Sequence, residues 1–192
     1  MSRIIAKIDP SPTAILMPAA MILLDAWQLL VVTVVAAAFH EIGHYAALRV
    51  SRGELKRFKL DLIGCSIQYG GNMSYGGEIF TALAGPLMSA VLAVAAALLG
   101  RLTGCAPLYQ LAGVSGALCV FNLLPCFPLD GGRAVYKICA YVWGLDVAAR
   151  VTFALRCAVA VSLALLGVWA VLQPPHNPSL LICAATVIII KS

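Results

Sequence analysis

WQLLVVTVVAAAFHEIGHYAALRV, residues 27 to 50, is an apolar run that carries two histidines and a glutamate in its second half. About 20 helical residues cross the hydrocarbon of a bilayer, so this run is long enough to span one. Three ionisable groups inside such a span are costly and point to function. The bland alternative is a buried polar cluster that only packs helices. His40-Glu41-Ile42-Gly43-His44 is an H-E-x-x-H motif. Positions i and i+4 share one face of a helix, so both imidazoles can reach one ion. Glu41 beside them is placed to take a proton as general base. Arg49 closes the run a few residues later, which sets the pair roughly 10 Å below a membrane surface at 1.5 Å per residue.

The rest of the chain fits a membrane protein. It has 192 residues, of which 62% are hydrophobic and 11% charged. A soluble domain averages about 45–50% apolar and about 25% charged. The net charge of +5 forms no basic stripe with interleaved aromatics, which excludes a nucleic-acid partner. The seven cysteines form no C-x-x-C pair and sit mostly in apolar runs, as small buried hydrophobes rather than a disulfide framework.

Working outward, Ala14 to Leu24 is a short apolar segment, joined to the first quoted run by a turn at Asp25 to Gln28. It is followed too directly by Asp25 and Trp27 to read as a cleaved signal. Ser51 to Gly77 is the one long polar stretch. There Phe58, Leu60 and Leu62 alternate with Lys59 and Asp61, a period of two that predicts a strand. Gly64 turns the chain, Cys65 to Tyr69 returns it, and Gly70, Gly71, Gly76 and Gly77 break regular structure. Glu78 to Leu99 and Leu108 to Leu124 are further spans, and Asn122 to Gly132, rich in proline and glycine, is expected to be unwound. A short helix is expected over Ala134 to Leu145. Val151 to Leu172 and Leu180 to Ile190 are the last two apolar segments.

The expected fold is an all-α polytopic membrane protein of about six transmembrane segments. A small β-hairpin or re-entrant loop lies between the second and third, and residues 1–192 form one domain. With the N-terminus in the cytoplasm, Arg3, Lys7, Arg49, Arg52, Lys56, Arg57, Lys59, Arg133, Lys137, Arg150 and Lys191 all fall on that side. Arg101 alone lies opposite and Arg156 lies within a span. The positive-inside rule therefore predicts a multi-pass cell-membrane protein whose N-terminus and active-site opening are cytoplasmic.

Two histidines do not complete a catalytic zinc site, which commonly has three protein ligands and an open fourth position. His176 sits among Pro174, Pro175 and Pro178, on the far side by this topology, and reads as a loop residue. Asp130 is the better candidate. It lies in Asn122-Leu-Leu-Pro125-Cys-Phe-Pro128-Leu-Asp130-Gly131-Gly132, on the same side as the histidines. Pro125 and Pro128 prevent regular helical bonding, and Gly131 and Gly132 allow a sharp turn and close approach. Irregular backbone at membrane depth must be buried in protein or line a watery cavity. A plain surface turn with an exposed aspartate is the alternative.

With these motifs in order, His40-Glu41-Ile42-Gly43-His44, then Ala84-Gly85-Pro86, then Asn122 to Gly132, the chain resembles the site-2 protease family of intramembrane metalloproteases. It is most similar to the compact branch that includes the bacterial stage IV sporulation protease. The resemblance covers roughly residues 13 to 150, the implied catalytic core, with two additional membrane segments over 151–190. It implies zinc held by His40, His44 and Asp130, with Glu41 as general base. It also implies Asn122 beside the site, where its amide contacts substrate or the oxyanion. The implied activity is hydrolysis of peptide bonds in membrane-embedded or membrane-proximal protein substrates. The sporulation branch often carries a C-terminal CBS domain and other branches a PDZ domain; neither is expected within these 192 residues, and an oligomer or a regulatory partner is left open.

Two other classes compete: a non-catalytic membrane metal-binding protein and a metal transporter. Glu41 between the histidines speaks against the first. The confinement of the ionisable cluster to one side of the membrane speaks against the second. Leu55 to Tyr69 is either a strand platform for an extended substrate or a connector loop. Ala84, Gly85 and Ser89 are small residues suited to packing helices, within one chain or between chains.

Overall fold

The computed structural model describes residues 7–10, 26–61, 64–70, 73–127 and 129–173. Among them are five helices and three strands, and the chain divides into two compact units, Met1–Phe121 and Asn122–Ser192.

In the first unit, helix α1 covers Trp27–Val50, the apolar run that carries His40, Glu41 and His44. It ends where the Ser51 N–H bonds to the Ala47 carbonyl and Arg52 adopts a φ of 54°. Strands β2 (Glu54–Asp61) and β3 (Gly64–Gly70) then form an antiparallel ladder from Asp61 opposite Gly64 to Glu54 opposite Gly70. The register is irregular between Leu55 and Arg57. Phe58 and Leu60 of the period-two pattern lie in this ladder. Strand β1 (Lys7–Pro10) lies parallel to β2, pairing Lys7 with Arg57 through Pro10 with Leu60, and gives the order β1-β2-β3. Nothing in Lys-Ile-Asp-Pro signals a strand; partners 50 residues away make it one.

Helix α2 covers Tyr75–Thr103, starting three residues before the expected span. Gly76 and Gly77 do not break structure but form its first turn. The cause is the cap: Ser74 Oγ accepts the Gly77 N–H at 3.2 Å, satisfying one of the amides that a helix start leaves without a partner. Gly104, at a φ of 69°, ends the helix. Helix α3 covers Ala106–Asn122.

α1 packs along α2. The buried residues of α1 are Val32, Ala36, His40, Gly43, His44, Ala47 and Leu48, spaced three or four apart as one stripe. α2 buries Thr81, Ala82, Gly85, Pro86, Ser89, Ala96 and Gly100; Gly85 lies against His44 of α1, whereas Gly100 lies against Leu108 and Tyr109 of α3. Small residues on both sides let the backbones approach, which is how helices associate where lipid removes the hydrophobic drive. A Cβ on Gly43 would stand 2.5 Å from the Ala84 carbonyl oxygen. The opposite face of α1, with Val31, Val34, Phe39 and Ile42, is exposed and apolar, the surface a bilayer covers.

Among the described residues of the second unit, Leu123 to Phe127 and Leu129 precede the first helix outside regular structure. Helix α4 covers Asp130–Trp143 and helix α5 covers Leu145–Leu172, joined through Gly144 at a φ of 87°. The unwound segment is therefore shorter than expected, because Gly131 and Gly132 are helical. α5 starts six residues before the expected Val151, absorbing a polar turn. Cys139, Ala140 and Ala148 pack with Val135, Tyr136 and Val151, and Cys126 and Ala160 pack with Leu129, Val159 and Leu163.

The described chain is mostly helical, and three of its helices, α1, α2 and α5, are long and apolar enough to cross a membrane. α3, at 17 residues, reaches about 25 Å. The other two expected segments, 14–24 and 180–190, lie outside the described residues, as does His176.

Candidate metal centre

His40 and His44 stand one turn apart on the buried face of α1, 5% and 6% exposed. Their rings meet edge to face, with centroids 4.8 Å apart and an interplanar angle of 78°. The two Nε2 atoms face each other at 3.1 Å. The i, i+4 spacing read in the sequence thus brings two ring nitrogens together.

α2 holds both rings from the far side. His44 Nδ1 bonds to the Thr81 carbonyl oxygen at 2.7 Å, and His40 Nδ1 bonds to Ser89 Oγ at 2.9 Å. A carbonyl only accepts, so His44 carries its proton on Nδ1 and its lone pair on Nε2. Thr81 Oγ1 in turn donates to the Gly77 carbonyl at 2.8 Å, and Thr81 and Ser89 are fully buried. Gly85 leaves the space that the His44 ring fills: a Cβ there would stand 2.2 Å from Nε2.

These partners are where sequence reading stopped. It identified Gly85 and Ser89 as small packing residues and did not find Thr81. Gly85 and Ser89 do pack α2 on α1 within one chain, but against the histidines themselves. Thr81 acts through its main chain, which leaves no signature in residue type.

The pair suits a metal. Two nitrogens each about 2.0 Å from a tetrahedral zinc lie about 3.3 Å apart, close to the 3.1 Å separation found. Imidazoles whose Nδ1 groups are engaged by neighbouring groups present Nε2 in a fixed orientation. Glu41 follows His40 directly on α1, half-buried at the edge of the same face.

Asp130 belongs to the second unit. It is the first residue of α4 and 7% exposed. There the helix dipole favours a charged carboxylate. The preceding loop folds back over the start of its own helix. Cys126 N–H bonds to the Leu124 carbonyl at 2.7 Å and Leu129 N–H to the Cys126 carbonyl at 2.9 Å. Only glycines permit this: a Cβ on Gly131 would stand 2.2 Å from Leu123 O, and one on Gly132 2.3 Å from the Cys126 carbonyl carbon. The bland reading of Pro-Leu-Asp-Gly as an exposed turn does not hold, because the aspartate is buried at a helix start. Asn122 is the last residue of α3 and half-buried.

No protein-family model matches the chain. In sequence it is similar to a zinc metalloprotease of Methanocaldococcus jannaschii, 27% identical over 124 residues, or 62% of this chain and 36% of that protein. The matched stretch therefore spans little more than a third of the relative's length. In structure it is similar to the site-2 protease from Methanocaldococcus jannaschii, with a TM-score of 0.72 and 24% identity, covering 97% of this chain and 90% of that one. The chain has that fold, and its apolar helices make it a membrane protein.

Proposed function

We propose that the chain is an intramembrane zinc endopeptidase of the site-2 protease type, hydrolysing peptide bonds of membrane-embedded or membrane-proximal proteins. One observation carries the reading. A buried histidine pair, its Nδ1 atoms engaged and its Nε2 atoms converging, sits on a membrane-length helix with a glutamate between the two. The proposed donor set for one ion is His40, His44 and Asp130, all three buried.

Zinc held there would polarise the scissile carbonyl and acidify the attacking water. Glu41 takes the proton of that water and returns it to the leaving amine. Asn122 offers its side-chain amide to the substrate backbone or the oxyanion. Asp130 would supply negative charge to the ion from the first turn of α4. A helical substrate hides its peptide bonds and must unwind; β3, at an edge of the described sheet, offers a strand edge for the extended segment to join. The charge distribution along the chain supports a multi-pass protein whose active-site opening and N-terminus are cytoplasmic.

The test is cleavage of single-span substrates by the detergent-purified protein beside Glu41→Gln, with zinc measured in both. The account expects cleavage by the unmodified protein alone and equal zinc. Equal cleavage by the two proteins would overturn the role of Glu41 and the peptidase reading with it.

A further inference from the structure

α4 and α5 form a helical hairpin, with Gly144 alone between Trp143 and Leu145. Near this turn Cys139 and Ala140 of α4 pack with Ala148 of α5. At the far end Cys126 and Leu129, just before α4, pack with Val159, Ala160 and Leu163. α4 therefore runs antiparallel along the first half of α5. The charges of α5 are confined to that half. Asp146, Arg150 and Arg156 precede a stretch from Cys157 to Leu172 that holds no Asp, Glu, Lys, Arg or His. α5 is long and apolar enough to cross a membrane, so its uncharged half belongs in hydrocarbon and its charged half at the surface. α4 has 14 residues and reaches about 21 Å, short of the roughly 30 Å of a hydrocarbon core. Packing along the charged half of α5 holds it at the same surface.

The outside of this hairpin combines two chemistries. Ile138, Tyr141 and Val142, three and four residues apart, make one exposed stripe on α4, and Trp143 and Leu145 extend it around the turn. Tyr141 is 72% and Trp143 61% exposed, more than water-facing aromatics of this size usually are. Between residues 131 and 156 the basic side chains are Arg133, Lys137, Arg150 and Arg156, against a single acidic one, Asp146. Exposed aromatics with an excess of cations are the composition of a segment at the membrane–water interface.

We propose that the α4–α5 hairpin docks into the headgroup layer of an anionic bilayer leaflet. Ile138, Tyr141, Val142 and Trp143 insert among the upper acyl chains, and Lys137 and Arg150 meet lipid phosphates. The surface continues the lipid-facing side of α5, where Phe153 is also exposed. Its charge is complementary to acidic lipids, which attract basic residues close to the surface. α4 opens at Asp130, so the docked element is the one that carries this carboxylate. The docking needs no metal, and its test is independent of the proposed activity.

The chain has three tryptophans, and Trp27→Phe with Trp169→Phe leaves Trp143 as the only one. Both replaced residues are exposed, so phenylalanine there disturbs no packing. The full chain is reconstituted in vesicles of phosphatidylcholine with phosphatidylglycerol. Bromines near the headgroup end of the acyl chains should quench Trp143 more than bromines near the chain ends, and aqueous acrylamide should quench it little. Strong acrylamide quenching without bromine quenching, the result for a hairpin in water or under a soluble partner, would overturn the proposal. So would stronger quenching by the deep bromines. Energy transfer from Trp143 to dansyl-labelled phosphatidylglycerol should exceed transfer to dansyl-labelled phosphatidylcholine. Lys137→Gln and Arg150→Gln should each lower that preference by up to about fivefold, the effect of one cation at an anionic surface. Arg101→Gln, at the exposed end of α2, should leave it unchanged. Equal transfer to the two lipids, or an equal loss in Arg101→Gln, would overturn the anionic preference. Amide exchange over residues 138–150 of the unmodified chain needs no variant. It should be slower in vesicles with phosphatidylglycerol than in phosphatidylcholine alone, and equal rates would count against the docking.

Discussion

Gly85→Ala is the smallest change that should disable the metal centre. The added Cβ would stand 2.2 Å from His44 Nε2, 2.6 Å from Cε1 and 2.7 Å from Cδ2. Ordinary contact begins near 3.4 Å, so the ring or the helix must retreat by about 1.2 Å, whereas metal–ligand distances tolerate only about 0.2 Å. The ring cannot retreat freely, because its Nδ1 is tied to Thr81 O on the same helix at 2.7 Å. Disturbing a group that merely orients a ligand costs about 10–100-fold in metal affinity. Displacing the ligand should cost at least about 100-fold, together with about 1–3 kcal/mol of stability from overpacking. Chelator competition reads the first quantity and thermal unfolding in detergent the second. Gly113→Ala is the matched control, since a Cβ there meets nothing within 4 Å. It should leave zinc binding intact and leave stability level or up to about 1 kcal/mol higher. If Gly85→Ala bound zinc as tightly as Gly113→Ala, the packing of His44 against α2 described above would be wrong.

Three further outcomes follow from the same geometry. Glu41→Gln should lower the rate of peptide cleavage by about 10²–10⁴-fold while zinc content stays at the parent level, as measured on one preparation. Asp130→Ala should lower zinc occupancy after dialysis yet leave the helical circular-dichroism signal in place; unchanged occupancy would remove Asp130 from the donor set. Gly131→Ala should lower the unfolding temperature, by about 1–3 kcal/mol or more of stability, because its Cβ would meet the Leu123 carbonyl oxygen and main chain yields less than a side chain.

What the sequence made legible follows from the range of the forces involved. The pairing of His40 and His44 was readable because the 3.6-residue period alone sets them on one face. The strand through Phe58 and Leu60 was readable from alternation. The cap at Ser74 was missed because four glycines nearby outweighed one local hydrogen bond. Gly131 and Gly132 were read as a turn, whereas they are the first turn of α4, required by a loop crossing over them. The engagement of His44 by Thr81 and of His40 by Ser89 depends on how α1 and α2 pack, 37 and 49 residues apart in the chain. That packing is a tertiary fact to which composition and period are blind. β1 is the same case: a strand made by its partner.

The central claim is that the buried histidine pair is a zinc site, and zinc K-edge X-ray absorption of the detergent-purified protein tests it most directly. The account predicts stoichiometric zinc with two imidazole nitrogens at about 2.0–2.1 Å and the remaining ligands oxygen at about 2.0–2.2 Å. One imidazole should be lost in His44→Ala. Absent zinc, or a first shell dominated by sulfur at about 2.3 Å, would contradict it.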